Sequence, residues 1–203
     1  MNAPFHPGMG LQDPVLGSQS IFRAMLEALS RPGVPVAIPA LGVEGPDDLP
    51  VEVLTLLVSI CDHDTPIWLE EGLRASPLAR WFAFHCSAPV TADPLHASFA
   101  VLRGASATGA MLDQFALGDV RYPERSTTVI FTCHDLNSGA PISLTGPGVE
   151  ARLTIRPSGL PDDFLSMAQA NHEMFPRGVD ILLVSGAQML GLPRSTKLER
   201  EAH

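Results

Sequence analysis

The chain has 203 residues, of which 45% are hydrophobic and only 17% charged, which is enough apolar material for one domain spanning 1–203 with a substantial core. A formal net charge of −9, with only 13 Lys and Arg and no basic cluster, argues against nucleic-acid binding through the phosphate backbone. No membrane span is expected, because the longest apolar run, Val53 to Cys61, falls well short of the roughly 20 residues that cross a bilayer.

Met1 to Gly10 lacks the basic start and apolar centre of a secretory signal. The 3 cysteines have no disulfide-framework spacing and suit reduced thiols in the cytoplasm. Residues 1–12 are rich in Pro and Gly and read as a mobile start. Asp13-Pro14 then reads as an N-cap and first helical residue. Phe22, Met25, Leu26 and Leu29 follow at helical spacing as the expected buried face. Arg31-Pro32-Gly33 ends that helix, and Val34 to Ile38 reads as an edge strand because of Pro35.

A second helix is expected from Asp47-Asp48-Leu49-Pro50 to about Cys61, apolar nearly all round and therefore buried. It feeds a turn, Asp62-His63-Asp64-Thr65-Pro66, and a strand, Ile67 to Leu69. This stretch is expected to lie where α/β proteins often place ligand sites. Ser76-Pro77 starts a third helix with Leu78, Trp81, Phe82 and His85 on one face. Ala97 to Leu102 reads as a strand, and 103–126 as irregular with a helical turn at Met111 to Phe115.

Thr127 to Cys133 is β-branched and apolar, which predicts a central strand. Pro141 to Thr145 and Val149 to Arg156 read as a hairpin joined by Gly146-Pro147-Gly148. A last helix starts at Pro161-Asp162-Asp163, with Phe164, Ala168, Asn171 and Phe175 along one side. Val179 to Ser185 and Met189 to Leu192 form a second hairpin, and 194–203 reads as a charged tail. Early alternation of helices and strands followed by a meander predicts an α/β fold with a mixed sheet and helices on both faces.

Each cysteine has a histidine nearby: Cys61 with His63, His85 with Cys86, and Cys133 with His134. That chemistry suits zinc, and a metal-dependent hydrolase using these Cys, His and Asp residues is one alternative. No Cys-x-x-Cys or His-Glu-x-x-His supports it, so no metal is expected. Asp62-His63-Asp64 also resembles a general base with orienting acids. The reading preferred here is a structural turn, in which Asp62 and Asp64 accept backbone N–H bonds and Thr65-Pro66 sets the exit. No phosphate loop or nucleophile elbow is present, and the Gly104 to Gly109 run lacks the residues of either. The single lysine, Lys197, stands in the polar end, which leaves pyridoxal phosphate without a convincing Schiff-base residue, and no cofactor is expected. Arg177 and Arg194, with Lys197, stand near the ends of the last strands. They are candidates for holding a phosphate or carboxylate, which would make the chain a phosphate-ligand binding module.

Several stretches together resemble one family, the PhnH subunit of the carbon–phosphorus lyase system. They are 22–33, 62–69 (Asp62-His63-Asp64-Thr65-Pro66-Ile67-Trp68-Leu69), 144–148, 175–183 (beginning Phe175-Pro176-Arg177-Gly178) and 192–196 (Leu192-Pro193-Arg194-Ser195-Thr196). The resemblance implies a three-layer α/β/α sandwich similar to the large domain of pyridoxal-phosphate-dependent transferases, without that cofactor. It also implies an accessory subunit that assembles with the G, I and J members and with itself. The assembly supports formation of alpha-D-ribose 1-methylphosphonate 5-triphosphate from ATP and methylphosphonate. No catalytic residue is implied on this subunit. Asp62, Asp64, Thr65 and Pro66 belong to the pattern, whereas Cys61, His63 and the start up to Leu11 do not.

Overall fold

The computed structural model describes residues 8–104 and 112–201. The first helix, α1 (Pro14–Ser30), begins where expected, with the Asp13 carboxylate accepting from the N–H groups of Val15 and Leu16 at 3.1 and 2.9 Å. Its buried face differs from the expected one. Ile21, Ala24, Met25 and Ala28 are buried, while Phe22 and Leu26 are 54% and 51% exposed. The face is chosen by fit: the small Ala24 and Ala28 let the helix lie close against the sheet. Of the described residues ahead of Asp13, Met9 is tied down, its carbonyl accepting from Glu44 N–H at 2.8 Å.

Strand β1 (Val36–Ala37) lies at a sheet edge, as Pro35 predicts. Helix α2 (Val51–Ile60) follows, with Val53 to Val58 all buried, and leads into β2 (Ile67–Leu69). A short helix, α3 (Glu71–Arg74), was not expected. Helix α4 (Leu78–His85) buries Leu78, Trp81 and Phe82 completely. The Trp81 indole N–H is satisfied by the Glu44 carbonyl at 3.1 Å, as a buried tryptophan requires.

The remaining strands are β3 (Val90–Thr91), β4 (Phe99–Arg103), β5 (Thr128–Thr132), β6 (Ile142–Thr145) and β7 (Leu153–Ile155). After α5 (Phe164–Glu173) come β8 (Asp180–Ser185), β9 (Gln188–Leu192) and β10 (Lys197–Arg200). The expected turn at Met111 to Phe115 is a 3-10 turn at Leu112–Gln114; Met111 and the glycine run beyond Gly104 lie outside the described residues.

A 7-stranded sheet runs β1-β9-β8-β5-β4-β2-β3. Strands β3, β2, β4, β5 and β8 are parallel, and β9 is antiparallel to both neighbours, so the sheet is mixed. Its side chains alternate between two cores. Ile67, Leu69, Val101, Ile130, Leu182 and Val184 meet α1, α2 and α4. Trp68, Ala100, Leu102, Val129, Phe131, Ile181 and Leu183 meet α5 and a 3-stranded sheet, β10-β6-β7. The second face is thus one helix beside a small sheet, not a full layer of helices.

Three further expectations are corrected. The β6–β7 hairpin pairs Ile142 with Ile155 and Leu144 with Leu153, but 146–152 is a loop, so the alternation from Val149 does not mark a strand. Phe175 lies beyond α5 and is 58% exposed. The polar end is not a tail: 197–200 pairs with β6 as β10, burying Leu198 while Lys197 and Glu199 form a 2.8 Å ion pair outside.

Candidate functional site

In open α/β sheets, ligands settle at the carboxyl ends of parallel strands, where successive connections leave in opposite directions. Here β2 leads to β3 on one side and β4 to β5 on the other, so the switch lies between β2 and β4. Glu70 follows β2 and Arg103 ends β4. The Glu70 carboxylate takes the Arg103 backbone N–H at 3.2 Å and pairs with its Nε, with the Glu70 side chain only 12% exposed. Arg74 donates to the Leu69 carbonyl at 2.9 Å and lies over the Trp68 ring at 5.1 Å.

A cavity of about 500 Å³ lies at the same end of the sheet. Its walls are the 139–142 and 157–161 segments, the first turn of α5 and the end of β10. Segment 157–161 abuts the end of β4: a side chain added at Gly104 would run into the carbonyls of Thr132 and Gly159. Ser158 is fixed by the His134 and Asp135 backbone and by a 2.8 Å bond between its hydroxyl and that of Ser138. A volume in the small-molecule range, with few polar groups, is what a ligand pocket requires.

The residues singled out from sequence stand at the other end. The 62–66 turn precedes β2, so it is at the amino edge, opposite the end where such folds take ligands. Asp62 accepts Asp64 N–H at 2.9 Å and the Thr65 hydroxyl at 3.1 Å, and Asp62 N–H donates to that hydroxyl. Asp64 accepts no backbone N–H among the described residues; it faces His63 at 3.3 Å and is 82% exposed. The turn is therefore held by one acid, because Asp62 alone points back into the loop.

Arg194 is also at the amino edge. Its guanidinium binds the Asp180 carboxylate at 2.7 and 3.1 Å, the Pro123 carbonyl at 2.8 Å and the Ser126 hydroxyl. These internal groups occupy the fork that was expected to hold a phosphate or carboxylate. Arg177 is exposed on the loop after α5. Since β4 and β5 separate β2 from β8, the 62–66 turn and the Arg194 cluster are roughly 14 Å apart and form no joint site.

Among the described residues, no group of three or more His, Cys, Asp and Glu is placed to hold a metal ion. Burial pushes the Cys61 thiol far up, raises Cys86, and pushes Cys133 up to about 11, where nearby Asp135 adds to the effect. Alkylation of Cys133 at neutral pH should therefore be about a hundredfold slower than that of an unperturbed thiol. Iodoacetamide labelling read by peptide mass would show this; a free-thiol rate would contradict it.

The Asp64 N–H, then the Thr65 hydroxyl, hold the Asp62 carboxyl below the usual carboxylate range. Its contribution is present above the unfolded pKa near about 4 and is lost as pH falls through the lower folded value. Asp62→Ala should lower the urea midpoint at pH 7, with the gap from wild type closing in strong acid. Asp64→Ala should leave the midpoint unchanged; a larger loss from Asp64 would reverse the assignment.

Sequence reading missed Glu70, Arg103 and the cavity walls. The signal available was positional only: a charged residue directly after each of two apolar strands, Leu69-Glu70 and Leu102-Arg103. No helix is long and apolar enough to cross a membrane among the described residues.

The family model described as bacterial phosphonate metabolism protein (PhnH) matches residues 9–199. A protein of Rhizobium meliloti (strain 1021) is 41% identical over 190 residues, 93% of this chain and 94% of that one, and is named alpha-D-ribose 1-methylphosphonate 5-triphosphate synthase subunit PhnH. A Stutzerimonas stutzeri protein named for a C-P lyase subunit, HtxG, is 31% identical over 184 residues, covering 89% of this chain and 85% of its own length.

Proposed function

This chain belongs to the PhnH family of bacterial phosphonate metabolism proteins, and from that premise we propose that it acts as an accessory subunit of a cytoplasmic carbon–phosphorus lyase assembly. In this reading it supports formation of alpha-D-ribose 1-methylphosphonate 5-triphosphate from ATP and methylphosphonate, without turnover by itself. The observation that carries the proposal is near full-length identity of 41% to a relative named as a subunit of that synthase. Its partners are the G, I and J members and a second copy of itself.

The surface supports an assembled state. Val15, Phe22 and Leu26 lie at i, i+7 and i+11 on α1 and are 67%, 54% and 51% exposed, forming an apolar stripe on a helix whose opposite face is already packed. Phe22→Glu should leave the thermal midpoint within a few degrees and abolish co-purification with another subunit of the system. Retained co-purification would remove the stripe from the interface.

The direct test mixes purified proteins with ATP and methylphosphonate. The chain alone should give no product, whereas the chain mixed with the G and I members and a further member of the same system, L, should consume both substrates. Turnover by the isolated chain would overturn the accessory role.

A further inference from the structure

We infer that the groove between the 38–43 loop and the start of α2 is a docking site for a segment of a partner protein in which a large apolar side chain is flanked by Lys or Arg. The groove encloses about 230 Å³ at a corner of the large sheet, just past the end of β1. Its floor is dry. Ile38 and Val43 are buried there, and the hydroxyl of buried Thr55 turns back to the Val51 carbonyl at 2.7 Å. The Ile38 N–H is taken by the Ala187 carbonyl at 2.9 Å, and Pro39 has no N–H to offer. With these donors already satisfied or missing, the floor favours an apolar occupant over a polar one. Val51, 44% exposed on the rim, extends the apolar surface.

The rim sets the sign of the occupant's charge. Glu52 lines the groove, Glu44 directly follows the lining residue Val43, and Asp47 and Asp48 lead into α2. No Lys or Arg occurs between Arg31 and Arg74. None of these four carboxylates belongs to an ion pair among the described residues. The helix dipole accounts for Glu52, which lies in the first turn of α2, but Glu44, Asp47 and Asp48 stand outside the helix. An apolar slot under an unbalanced negative rim selects a cationic segment with an apolar anchor, and repels acidic segments.

The inference goes beyond the accessory-subunit reading and is separable from it, because it is read on the isolated full chain with a synthetic peptide. The probe is a short peptide with a central Leu between paired Arg residues, titrated while amide NMR shifts are followed. It should move the signals of Ala40, Val51 and Ala187 with submillimolar Kd. Peptides with Ala for the Leu, or Glu for the Arg residues, should each bind at least about tenfold more weakly. The double variant Asp48→Asn, Glu52→Gln should weaken binding by about tenfold, and Ala187→Trp, which closes the groove from the β8–β9 turn, should abolish it. Both proteins are checked for an unchanged thermal midpoint. No shift at millimolar peptide, equal binding of the Glu peptide, or wild-type affinity in the double variant would each overturn the assignment. The same shifts on concentrating the protein alone would put a second copy in the groove and overturn it as well. Any of these results would leave the assembly reading standing, and an inactive reconstituted mixture would leave this one standing.

Discussion

Arg194→Ala is expected to destabilise the protein by about 3 kcal/mol, the lower end of what removing one partner of a buried ion pair costs. Arg194 and Asp180 have side chains 11% and 24% exposed, so the pair is mostly but not wholly shielded. Removing the guanidinium leaves the Asp180 carboxylate with the Arg194 backbone N–H at 2.9 Å and little else. It also releases Pro123 and Ser126, the anchors of a loop closed by a bridge between Leu117 and Ser126. Urea unfolding would measure the loss. Arg194→Lys should recover less than half of it, because an ammonium cannot reproduce the fork that reaches three partners. Full stability in Arg194→Ala, together with lost phosphate binding, would return Arg194 to the ligand role first suggested by its position.

Gly191→Val should have an effect of similar or greater size, about 3 kcal/mol, lowering the thermal midpoint by roughly 6–12 °C for a chain of this length. Gly191 lies on the face of β9 that meets α1, where any side chain would overlap the Ala28 carbonyl and approach the Leu29 amide. These are backbone atoms of the last turn of α1, which is anchored just beyond that same end by Gly33 N–H bonding to the Gly191 carbonyl at 3.1 Å. Neither side can yield without moving α1 off the sheet. Gly186→Ala is the control. Gly186 has nothing within 4 Å but sits in the β8–β9 turn at φ 51°, so only left-handed backbone strain of about 1 kcal/mol is expected. A Gly191→Val protein as stable as Gly186→Ala would show that the helix–sheet contact is softer than it looks.

These two sites also show what the sequence could and could not disclose. The apolar runs of α2, β2, β5 and the β8–β9 hairpin were readable because burial on every side leaves continuous hydrophobic residues. Half of the expected α1 face holds, Met25 buried and Leu29 packed on the core, but Phe22 and Leu26 were misread because a periodicity count rewards large residues, whereas the close approach of Gly191 to the Ala28 backbone favours small ones. Strand β10 was missed because Lys197, Glu199 and Arg200 look like a solvated end; the single inward Leu198 is the whole signal. The 62–66 turn was legible down to the Asp62 bonds, since an Asx turn is local chemistry. The carboxyl-edge cavity was not, because it joins the 139–142, 157–165 and 200–201 segments, which no local pattern connects.

The two rims of the large sheet have a consequence for how the protein behaves at high concentration. Both are strands of only 2 residues, β1 and β3, with Pro35 before one and Pro89 before the other. A rim that short, with a neighbour lacking an amide hydrogen, offers almost no ladder for a foreign strand to extend. The large sheet should therefore resist growth by edge-to-edge stacking in concentrated solution, which leaves β10 and β7, the rims of the small sheet, as the longer edges open to a foreign strand.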